Sequence, residues 1–93
     1  MKHYIIVKFK RNYDYKLEKD NIEELFEKAK EINGVEDVLI HCSNSTRENR
    51  FDLMIEMLLT FEGLQNFDNS VIHYNWKNNY GKYIESKTIF DCD

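Results

Sequence analysis

The sequence predicts an α+β domain built in the order strand, helix, strand, strand, helix, strand. Three observations predict it. The chain opens on an alternation that puts His3, Ile5, Val7 and Phe9 on one side and Tyr4, Ile6, Lys8 and Lys10 on the other, the period of a strand. An apolar stripe at helical spacing follows, made of Ile22, Leu25, Phe26, Ala29 and Ile32. The second half then repeats the sequence of signals, with two more strand-like runs before a helical region and a final segment rich in Thr, Ile and Phe.

Each element has a local reason. Asn33-Gly34 ends the first helix, because glycine takes the left-handed conformation that a C-terminal cap needs. A second strand spans 35–42, and the polar run 43–49 turns the chain into a third strand over 50–58. Thr60 is an N-cap for a short helix carrying Phe61, Leu64 and Phe67. Asn69-Ser70 offers another cap, for a stretch that sets His73, Trp76 and Tyr80 on one side and ends at Gly81. The last strand is expected over 85–92.

This order is the ferredoxin-like split βαβ arrangement. Right-handed crossovers give an antiparallel sheet ordered last, first, third, second strand, with the helices on one face. Strands one and three are read as parallel neighbours, with His3 near Asp52 and Val7 near Glu56. The even-numbered Asp52, Met54, Glu56 and Leu58 then face the helices. Tyr4, Ile6, Phe51, Leu53, Ile55 and Met57 are left uncovered, an apolar patch that calls for a sheet-to-sheet homodimer, a dimeric α+β barrel. Replacing Ile55 by Lys is expected to dissociate it.

At 93 residues one domain, 1–93, is expected, and 42% hydrophobic residues suffice for a core. The formal charge of -4 and the lack of a Lys/Arg-Gly-aromatic run on strand three argue against nucleic acid. No apolar run approaches the ~20 residues of a membrane span, so no membrane partner is expected. Two cysteines without a CxxC pattern and no visible export signal point to the cytoplasm.

The segments Lys2 to Lys10, Gly34-Val35, Phe51-Asp52, Thr60 to Phe67, His73, and Lys87 to Asp91 together resemble the stress-responsive A/B barrel domain family, in order and over nearly the whole chain. The resemblance implies a ferredoxin-like fold and a dimeric barrel. Its best-understood relative, olivetolic acid cyclase, closes a linear polyketide without metal or cofactor in a pocket between helices and sheet. A histidine matching His73 works there with a tyrosine, whose position is Phe67 here. The loop before His73 reads Asn69-Ser70-Val71-Ile72, without the family's usual proline.

The candidate chemistry is acid–base. His73 with Asp52 or Glu56 forms the catalytic set, since an imidazole beside a carboxylate takes and returns protons near neutral pH. Lys87 is a candidate partner for Glu56. His3, Ile5, Val7 and Met54 from the sheet, with Ile22, Leu25, Phe26, Phe67 and Trp76 from the helices, are expected to line a pocket for a small apolar metabolite. His41 and Cys42 are expected on the surface or in packing roles. No metal and no cofactor are expected, as no HxxxH, HExxH or CxxC spacing is present. Binding without chemistry, a cofactor-free cyclase, lyase or isomerase acting on a small carbonyl compound through His73, and a cofactor-free monooxygenase are the functions in view.

Overall fold

The alternation at the start of the chain becomes β1 (Lys2–Phe9) in the computed structural model, which describes residues 1–93. A 3-10 turn (Tyr15–Glu18) leads into α1 (Lys19–Glu27), and a second one (Lys28–Glu31) extends the apolar stripe. Ile22, Phe26 and Ala29 on that stripe are fully buried, with Leu25 and Ile32 packed against them at its edge. Gly34 follows at a φ of 91°, in the left-handed region that its sequence position calls for.

β2 (Val35–Cys42) and β3 (Leu53–Leu59) form the hairpin. Residues 50–52 belong to the connecting loop, where the Phe9 amide donates to Asp52 Oδ2 at 2.8 Å and the Asp52 amide donates to the Val7 carbonyl at 2.9 Å. The second helical region is two helices, α2 (Phe61–Asp68) and α3 (Val71–Tyr80). Both caps are as the sequence predicts: Thr60 Oγ1 accepts from the Gly63 amide at 3.0 Å, and Ser70 Oγ from the His73 amide at 3.2 Å. Gly81 is not left-handed. Its φ of -54° lets α3 tighten into a 3-10 turn (Gly81–Tyr83) before β4 (Ile84–Cys92).

Gly34 also explains Gly63. The two backbones touch, and a Cβ on Gly63 would lie 2.2 Å from the Gly34 carbonyl oxygen. The Asn33-Gly34 corner is thereby pinned to the first turn of α2, helped by Asn66 Nδ2 donating to the Asn33 carbonyl at 2.9 Å.

The sheet order is β2-β3-β1-β4, as expected, and every neighbouring pair is antiparallel. The parallel reading of strands one and three is therefore wrong. A crossover through α1 makes β2 run with β1, and the hairpin then reverses β3. His3 lies opposite Met57, not near Asp52, and Val7 lies opposite Leu53, not Glu56.

The facing of β3 is also the reverse of the expectation. Leu53, Ile55, Met57 and Leu59 are buried under the helices with Ile5, Val7 and Phe9, while Met54, Glu56 and Leu58 lie on the helix-free face. Both parities of this strand are largely apolar, and Glu56 is the single residue that betrays which one faces out. Ile55 is thus a core residue. The apolar part of the open face is instead Tyr4, Ile6, Met54 and Leu58, extended by Leu39 and Phe90.

Candidate functional site

β1 and β4 pair antiparallel, and the register sets His3 opposite Asp91. His3 Nδ1 and Asp91 Oδ1 are 2.5 Å apart, with the His3 side chain only 8% exposed. Asp91 accepts, so Nδ1 carries the proton and Nε2 of the neutral ring holds the lone pair. Nε2 has no protein partner, and no sealed side-chain nitrogen in the structure is left without one. It opens into a cleft of about 310 Å³ between β1, β4, α2 and α3.

His73 stands in the same cleft. Its Nδ1 lies 3.2 Å from the carbonyl oxygen of Asp68, at the break between α2 and α3. A carbonyl only accepts, so this ring too is held with Nδ1 protonated and Nε2 free to accept a proton. Burial lowers its pKa from the usual 6.5, and the charges of Lys77 and Lys87 act in the same direction, against Asp68. Phe67, fully buried, stands behind both rings, edge-on to His73 at 5.1 Å and to His3 at 6.5 Å. It packs against them from the core and carries no hydroxyl.

The remaining lining is mixed. Ile5, Leu64, Trp76 and Ile89 are apolar, while Asp68, Lys77, Lys87 and Asp91 add charge to the two histidines. A broader groove of about 530 Å³ lies over the α2–α3 corner, sharing Asp68, His73 and Lys77 and adding Asn69, Ser70, Tyr74 and Asn78. The cleft is the better site, because it alone holds both imidazoles.

Two histidines and two carboxylates do meet, but the carboxylates are Asp68 and Asp91. Asp52 is spent on the Phe9 amide at the far end of β1. Glu56 is on the open face, where it contacts His41 Nε2 at 3.1 Å, so it pairs with neither His73 nor Lys87. Of the expected lining residues, His3, Ile5 and Trp76 reach the cleft. Val7, Ile22, Phe26 and Phe67 are core, Leu25 packs at its edge, and Met54 is on the opposite face. The signal for Asp91 was present in the sequence: Lys87, Ile89 and Asp91 alternate on the last strand in step with Val7, Ile5 and His3. The Asp68 contact runs through the backbone, so no residue type signals it.

No protein-family model and no curated protein matches the chain. Solved structures do. A dimeric ferredoxin-like protein of unknown function from Thermobifida fusca superposes with a TM-score of 0.78 at 8% identity, over 96% of this chain and 85% of that one. The fold is ferredoxin-like. A dabb family protein from Mesorhizobium loti shares this ferredoxin-like fold with a TM-score of 0.66 at 13% identity, over 99% of this chain and 93% of that one. The fold is the one that the resemblance to the stress-responsive A/B barrel family implies. The hydroxynitrile lyase from Passiflora edulis superposes with a TM-score of 0.74 at 14% identity, over 96% and 87% of the two chains. No helix of the ferredoxin-like chain is long and apolar enough to cross a membrane.

Proposed function

We propose that the protein is a homodimeric stress-responsive A/B barrel protein that moves a proton on a small carbonyl compound held in the cleft. The observation that carries this reading is the 2.5 Å contact of His3 Nδ1 with Asp91, which leaves Nε2 free on the cleft side. In this reading Nε2 takes a proton from the carbon beside the carbonyl, and the bonding electrons shift toward the carbonyl oxygen. Asp91 stabilises the imidazolium that results, and the proton is then returned to the product. His73 is the second base, kept neutral near pH 7 by burial. With six ionisable side chains around it, the cleft favours a polar carbonyl compound over an apolar one.

Support for the remaining parts is of different kinds. The Thermobifida fusca protein is dimeric, and the open sheet face carries the apolar residues a second copy would cover. The Passiflora edulis lyase puts chemistry of a related class on the same fold. Both cysteines are free thiols, which suits the cytoplasm. The 93 residues act as one domain in this account.

Deuterium exchange tests it. In heavy water, proton NMR should detect wash-out of the protons beside the carbonyl of small ketones and aldehydes faster than in buffer alone. His3→Asn should slow that exchange ~10²-fold or more, the scale of general acid–base catalysis, with a small change in melting temperature. Exchange no faster than in buffer, or equal in the variant, would contradict the reading.

A further inference from the structure

We infer that the cleft selects substrates bearing a carboxylate, which it holds between Lys77 of α3 and Lys87 of β4. This deepens the acid–base reading of the same site and rests on it. The two lysines come from different elements and line one cleft. The ion-paired lysines of the chain are Lys8, Lys19 and Lys30, so neither Lys77 nor Lys87 has an acidic side chain within 4.0 Å. Two ammonium groups without partners therefore flank two imidazoles that each present a lone pair.

The acidic residues of the cleft set how much negative charge it accepts. Asp91 is committed to His3 Nδ1. Asp68 fixes His73 through its backbone and leaves one unpaired carboxylate against two unpaired ammonium groups. Asp91, beside a neutral imidazole, keeps its own charge as well, so the two carboxylates balance the two lysines overall, and a ligand's carboxylate is held only by lying against the ammonium groups. A dianion such as a phosphate ester would face Asp68 and Asp91 with its second charge, in a chain whose net charge is already -4. The geometry thus favours a small monocarboxylate, with the carbonyl placed beside its charged end and close to the two Nε2 atoms. A carboxylate also accepts hydrogen bonds from both lysines, charge-assisted contacts that a neutral ketone cannot return in strength.

The test compares levulinate, a keto acid, with its methyl ester, which keeps the ketone and loses the charge. Titration followed by NMR should give levulinate at least about tenfold tighter binding than the ester, the scale of one charge-assisted contact. Bound levulinate should also raise the pKa of His73, since a nearby negative charge favours the imidazolium. Lys77→Gln and Lys87→Gln should each erase most of the preference, while Lys82→Gln, outside the cleft, should keep it. Equal binding of acid and ester, a preference that survives both cleft variants, or no binding of levulinate at millimolar concentration would overturn the inference. Lysine-dependent binding of levulinate without deuterium exchange beside its ketone would leave the inference standing and remove the acid–base reading. Equal binding with exchange of both compounds would do the reverse.

Discussion

The two faces of the sheet each carry one histidine–carboxylate pair, and the pairs differ in what surrounds them. On the helix side His3 is 8% exposed, 2.5 Å from Asp91, and backed by Phe67. On the open side His41 is 48% exposed, 3.1 Å from Glu56, in a field of Tyr4, Leu39 and Met54. The same residue types thus serve different ends. Burial on one side leaves His3 a single free nitrogen aimed into a cleft, whereas exposure leaves His41 free to turn. Residue type alone does not make a site; a ring held by packing, with its second nitrogen open to a cavity, does.

Breaking the two faces separately should give separate failures. The largest effect is expected from Ile55→Lys, which puts an unpaired ammonium into the core and should destabilise the fold by about 4 kcal/mol or more, as read by chemical denaturation. Met54→Lys, one residue away on the open face, should leave the helical and strand content intact and convert a dimer to a monomer in sedimentation. The next effect sharpens the contrast between the histidines: His3→Asn should slow carbonyl-proton exchange ~10²-fold or more, and His41→Asn should leave it at the wild-type rate.

A smaller effect is expected in pH. His73 has its pKa lowered in the fold, chiefly by burial, so below the usual 6.5 the unfolded chain binds more protons than the folded one. Stability should therefore be fully present above that pH and fall as the solution is acidified through 6.5 toward the folded value. His73→Gln should flatten this slope in urea titrations across the same range. An unchanged slope would mean that His73 is not desolvated as described.

The elements were legible wherever local chemistry dictates them. Thr60 and Ser70 cap because their hydroxyls accept from amides three residues on, and Gly34 turns because other residues resist its φ of 91°. The alternation of β1 was readable because Lys8 and Lys10 mark its outer side. Strand three was not, because Leu53 to Leu59 is apolar on both sides apart from Glu56. Its direction follows from the crossover and hairpin, and reading it as parallel moved Asp52 toward His3 by the length of the strand. His73 and His3 were found from their positions on the elements. Asp91 needed only the antiparallel register of β1 and β4, but the Asp68 carbonyl depends on the turn between two helices, a geometry that no side chain announces.

The central claim is that two imidazoles present unprotonated Nε2 atoms to one cleft. Long-range proton–nitrogen correlation spectra of the histidine rings read the tautomer of the neutral form directly. The account predicts that His3 and His73 both carry the proton on Nδ1, held by Asp91 and by the Asp68 carbonyl, with the Nε2 signals of both rings shifting when levulinate is added. A neutral His3 protonated on Nε2, or Nε2 signals in both rings that ignore every carbonyl ligand, would contradict it.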